Sequence, residues 1–76
     1  MTDEKINVTW ITTQIDPTKS DDYIIYVNNC VDIDYFSQII GWDCEGITHW
    51  AIIPWNINEM SLDELETLLK KIQPPE

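Results

Sequence analysis

Seventy-six residues allow one domain, and fourteen acidic side chains against four lysines and no arginine set its formal charge at −10. Four Trp and three Tyr in so short a chain exclude a solvated acidic tail, which lacks the apolar groups needed to fold. The acid excess argues against direct contact with anionic lipid or a nucleic-acid backbone and makes a basic protein the natural complement.

Ile6, Val8, Trp10 and Thr12 alternate with Asn7, Thr9, Ile11 and Thr13, the period-two pattern of a first strand. The turn-favouring stretch from Asp16-Pro17 to Asp22 ends it. Tyr23 to Val27 and Val31 to Phe36 are β-prone runs around Asn28-Asn29, and Asn tolerates the positive φ that a two-residue hairpin turn demands. Pairing Val27 with Cys30 sets Tyr26 opposite Val31, Ile24 opposite Ile33, Ile25 opposite Asp32 and Tyr23 opposite Asp34. The face with Ile24, Tyr26, Val31, Ile33 and Tyr35 reads as core. The other mixes Tyr23, Ile25, Val27 and Phe36 with Asp32 and Asp34.

A further short strand is expected from Phe36 to Trp42, then a polar turn over Asp43 to Gly46. Ile47 to Ile53 reads as the last strand, with Ile47, Ala51 and Ile53 on one side and Trp50 and Ile52 on the other, closed by Pro54. Apolar residues on both sides predict a central strand. Ser61 and Glu64 form a capping-box pair ahead of a helix whose Leu62, Leu65, Leu68, Leu69 and Ile72 make one apolar stripe. Asp63, Glu64 and Glu66 near its start and Lys70 and Lys71 at its end suit the helix dipole, and Pro74 stops it. The expected fold is α+β: an antiparallel sheet of four to five strands with one C-terminal helix packed on a face, in a single domain over residues 1–76 with 1–5 and 74–76 frayed.

A domain this small buries only about 60% of the surface its unfolded chain exposes, so the core must lean on its aromatics. Trp10, Trp42, Trp50 and Trp55 each remove about 150–250 Å² from water when buried. The sequence offers no export signal and no apolar run of about 20 residues, so a soluble, cytoplasmic protein is expected, with Cys30 and Cys44 as reduced thiols in or near the core.

Trp10-Ile11, Asp16-Pro17 ahead of Tyr23-Ile24-Ile25-Tyr26, the Tyr35-Phe36 pair, and Gly46-Ile47-Thr48-His49-Trp50 followed by Pro54 together resemble the DUF551 family, short domains of unknown function in phage and prophage proteins. The resemblance spans Trp10 to Pro54, and the Thr-His-Trp stretch is its most specific part. It implies viral or prophage provenance and supplies no reaction, cofactor or catalytic residue. Members of that family usually end in a Pro-rich stretch soon after Pro54, whereas this chain continues into a capped helix.

Little here points to catalysis. Cys30, Cys44 and His49, with Asp43 or Glu45, match no standard zinc spacing, and two glycines cannot build a phosphate-cradling loop. His49 has no serine elbow or H-x-x-x-H helix beside it, so neither enzyme activity nor a metal or other cofactor is expected.

Asp32 and Asp34 lie about 6.6 Å apart along one strand face, on the scale of adjacent backbone phosphates, although alternating acids also keep edge strands from pairing with other chains. Asp43 and Glu45 flank Cys44 in a loop, where binding residues tend to sit. Trp42, Trp55 and Tyr23 are candidate exposed anchors. The expected contact set is Asp21, Asp22, Asp32, Asp34, Asp43 and Glu45, with Tyr23 as anchor.

The expected function is that of a phage- or prophage-encoded acidic inhibitor. It binds and occludes a basic nucleic-acid-binding site of a host protein, as anti-CRISPR or anti-restriction proteins do. An immunity protein against a nuclease toxin and a small structural or assembly subunit are the alternatives. The expected partner is a basic host protein in the host cytoplasm, met by a monomer or homodimer that contacts neither nucleic acid nor membrane directly.

Overall fold

The computed structural model describes residues 5–75. Its five strands are β1 (Ile11–Thr12), β2 (Asp21–Val27), β3 (Cys30–Ser37), β4 (Gly41–Trp42) and β5 (Ile47–Ala51), followed by a 3-10 turn at Ile57–Glu59 and the helix α1 (Leu62–Lys71). They form one sheet in the order β1-β5-β2-β3-β4, every strand antiparallel to its neighbours. This is the expected α+β arrangement, with β2 at the centre and β5 internal.

Asn28 and Asn29, at φ 50° and 64°, make the tight turn between β2 and β3. They fix the register: Val27 opposite Cys30, Ile25 opposite Asp32, Tyr23 opposite Asp34. β5 departs from simple alternation. Tyr26 pairs with His49 but Val27 pairs with Ile47, so a bulge at Thr48 turns Ile47 to the same side as Trp50. The expected grouping of Ile47 with Ala51 and Ile53 is thereby corrected.

Both faces of the sheet are covered. On one, Tyr23, Ile25, Val27, Phe36 and Trp50 are buried with Ile11, Trp42 and Ile47 packed round them. The rings meet edge to face, Tyr23 on Trp50 at 5.1 Å and Phe36 on Trp42 at 4.9 Å between centroids, a geometry that suits their quadrupoles. On the other, Ile24, Ala51 and Ile72 are buried beneath Trp10, Trp55, Val31 and Leu69. The face expected to be mixed is therefore an aromatic core, and on the face expected to be core Tyr35 is exposed. Period two separates the faces but does not say which one the rest of the chain covers.

The helix accounts for this difference. Ser61 caps it, its hydroxyl accepting the Glu64 N–H at 3.2 Å. Yet no residue of Leu62–Lys71 is buried and Leu62 is 78% exposed, so α1 meets the sheet through Leu69 and the Ile72 that follows it rather than along its whole stripe.

The first expected strand is also shorter in the sheet. Only Ile11 and Thr12 form strand β1 against β5, with the Thr13 N–H adding a bond to the Thr48 carbonyl at 3.2 Å. Ile6 instead bridges Ile72 in parallel: its N–H donates to the Lys71 carbonyl at 2.9 Å and its carbonyl accepts from Gln73 at 2.8 Å. The Trp10 indole donates to the Gln73 carbonyl, also at 2.8 Å. Gln73 and the segment before it are thus tied to the first segment, while of the termini expected to fray residues 1–4 and 76 lie outside the described residues. The expected strand across Phe36–Trp42 is broken by a turn at Gln38–Ile40, where the Ser37 hydroxyl accepts the N–H groups of Ile39 and Ile40 and Gly41 takes φ +95°. Ile39 and Ile40 are 94% and 82% exposed at its tip.

Candidate protein-binding surface

The expected contact residues fall into two groups. In the first, Asp32 and Asp34 occupy one face of β3, and the Asp34 carboxylate accepts the Cys44 N–H at 3.1 Å. That bond draws the 43–46 loop against β3 and sets Asp43 and Glu45, both exposed, beside the strand acids. Asp32 has a second task. In a two-residue hairpin the closing pair Val27–Cys30 is hydrogen-bonded, so Val31, Ile33 and Tyr35 turn their N–H groups away from β2. β4 covers only Phe36 and Ser37, and the open Ile33 N–H donates to Asp32's own Oδ1 at 2.8 Å. The acid thus caps an edge as well as facing solvent.

Asp21 and Asp22 form the second group, at the start of β2. They point to opposite faces, Asp21 beside Phe36 and Asp22 beside Tyr35. Asp21 lies 3.6 Å from the Lys19 ammonium, an exposed pair worth little, and its Oδ1 accepts the Asp22 N–H at 2.8 Å.

Tyr23 is not a surface anchor. It is 5% exposed, wedged between Trp42 and Trp50, with its hydroxyl donating to the Lys19 carbonyl at 2.9 Å. Burial, and after it the charge of Asp21, raises its pKa above the ordinary 10.0. Tyr23 lies on the aromatic face of β2, where the Trp42 and Trp50 rings cover it edge to face.

Cys30 and Cys44 are free and exposed, correcting their expected place in or near the core, because one ends the hairpin turn and the other sits in the 43–46 loop. The His49 ring is half-buried, edge-on to Trp10 and Tyr26, with Nδ1 3.0 Å from the Thr48 hydroxyl. Among the described residues no three His, Cys, Asp or Glu side chains gather as metal ligands, and no helix is long and apolar enough to cross a membrane.

Two features escaped the residue-by-residue reading. One is the exposed Ile39–Ile40 tip, for which adjacent isoleucines just before a glycine were the only signal. The other is a groove of about 630 Å³ beside Asp21–Tyr23, built from segments far apart in sequence. Compared with known protein families, curated proteins and solved structures, the chain matches none.

Proposed function

We propose that this protein is a phage- or prophage-encoded inhibitor that acts by occupancy, docking its acidic surface on the basic nucleic-acid-binding site of a host protein. One observation carries the reading: Asp32, Asp34, Asp43 and Glu45 stand together on a sheet edge and its neighbouring loop, and none is ion-paired among the described residues. Hydrogen bonds from Cys44 and Ile33 hold the first two carboxylates, so their charge is presented in a fixed arrangement. A fixed anionic array on a body of charge −10 speeds encounter with a cationic cleft, and its attraction weakens as salt screens it. The DUF551-like residues between Trp10 and Pro54 support the viral provenance.

The test uses the wild-type chain and an Asp32→Lys/Asp34→Lys variant as baits in bacterial lysate, with folding of the variant checked by circular dichroism. A recovered basic protein is then titrated with nucleic acid in the presence of each bait. The reading requires wild type to displace the nucleic acid and the variant to do so far less. Equal potency removes this patch from the mechanism.

The Ile39–Ile40 tip favours a second reading, a small assembly subunit whose exposed apolar pair meets a like molecule. A stable homo-oligomer in light scattering that is lost in Ile39→Ser/Ile40→Ser supports it.

A further inference from the structure

β5 leaves the sheet at Ala51, opposite Ile24, so the first residues of β2 have no strand on that side. The chain on either flank curves round this gap: residues 11–19 on one hand and 52–58 on the other. The groove left between them measures about 630 Å³, within the range of pockets that take a discrete ligand group. Its walls mix apolar side chains, among them Trp50, Trp55, Ile15 and Ile52, with the polar Thr18, Asn56 and Asn58. Trp50 is fixed in place, its Nε1 donating to the Ile15 carbonyl at 2.7 Å, which also pins that side of the groove.

The rim is acidic. Asp16, Asp21 and Asp22 line it against one cation, Lys19, which sits 3.6 Å from Asp21, and among the described residues neither Asp16 nor Asp22 is ion-paired. A partly apolar, aromatic trough with free carboxylates at its edge fits a cation on a hydrocarbon stem. A bare metal ion would gain nothing from the indoles and isoleucines, and an anion would be repelled. Among such cations a planar guanidinium stacks on indole and pairs with carboxylate through a fork of N–H donors, which an ammonium cannot match.

We infer that this groove receives an arginine side chain of the basic protein partner. The guanidinium lies against Asp16 and Asp22, and the methylene stem runs along Trp55, Ile15 and Ile52, meeting only the rim of the buried Trp50. The inference rests on the proposed function for the identity of the occupant, and it adds a place where attraction by charge becomes seating by shape. The Asp32–Glu45 patch steers, and the groove holds.

The experiment is a titration of isotopically labelled full-length protein with N-acetyl-arginine amide, following the four indole N–H resonances by NMR. The Trp50 and Trp55 signals move and saturate, while Trp10, which is outside the groove lining and tied to Gln73, does not. N-acetyl-citrulline amide, the neutral isostere, leaves all four in place, and butylammonium binds more weakly than the arginine amide. In Asp16→Asn/Asp22→Asn the arginine amide binds at least about five-fold more weakly.

Equal shifts with citrulline, tighter binding of butylammonium, or indole shifts spread over the molecule would each overturn the assignment. The citrulline comparison is made on the wild-type protein and stands whether or not the double variant folds. The two proposals fail separately: an empty groove beside a captured partner that loses its nucleic acid sinks only the groove, whereas a saturable groove with no basic partner recovered sinks the proposed function.

Discussion

Ile24 and Ile25 are neighbours in β2 that point to opposite faces, and 0% and 2% of their surfaces are exposed. If both faces are core, Ile25→Ala must cost as much as Ile24→Ala. Each truncation removes three buried carbons, at about 0.8 kcal/mol apiece, giving a transfer loss of about 2.4 kcal/mol. A cavity that does not collapse raises the total to about 3–5 kcal/mol. A 76-residue domain has about 4–11 kcal/mol in all, so either loss consumes a large share of it, and Ile→Val at each site, at about 0.5–1.5 kcal/mol, gives a milder companion. The assay is urea unfolding followed by tryptophan fluorescence, where the midpoint falls while the slope holds. The reasoning is refuted if Ile25→Ala stays within about 0.5 kcal/mol of wild type while Ile24→Ala loses several, since that is how a residue on a solvated face behaves.

Ser61→Ala removes the acceptor of the Glu64 N–H and costs about 1 kcal/mol, read as lost helical signal in far-ultraviolet circular dichroism. Asp32→Ala frees the Ile33 N–H on the open edge of β3, so light scattering detects more association with rising concentration than in wild type, whereas Asp32→Asn keeps an acceptor and largely prevents it. Tyr23 holds its proton more tightly folded than unfolded, so its contribution is complete below about pH 10 and is lost as pH climbs from there through the raised folded value; Tyr23→Phe flattens that alkaline limb of a stability titration. Raising salt from low to about 0.15 M screens repulsion among the uncompensated acids and raises the melting temperature, and a fall would contradict this account.

What the sequence revealed was local. Asn28-Asn29 sets the hairpin register because only a few residue types accept positive φ at both turn positions, and Ser61 with Glu64 marks the helix start because the cap is made within one turn. What it concealed depends on distant segments. The Thr48 bulge follows from how β5 must meet β2, and nothing in Ile47–Ala51 announces it. Tyr23 beside acidic residues looks like a surface aromatic until Trp42 and Trp50 close over it from other strands. The strand acids were legible as a charged stripe, but their ties to Cys44 and Ile33 were not, since one partner lies ten residues away and the other is a backbone group left open by the shortness of β4. The groove was hidden for the same reason, with its two flanks more than thirty residues apart.

The joining of Ile6 to Ile72, with Trp10 hooked to Gln73, has a bearing on how the molecule is made. The central hairpin needs only nearby residues and can form while synthesis is still under way, but the opening segment has to wait for the end of the chain before it finds its place. A nascent chain halted before Ile72 would leave Ile6 and Trp10 without these partners. Removing Ile72 and Gln73 therefore injures the segment from Ile6 to Trp10, far away in sequence.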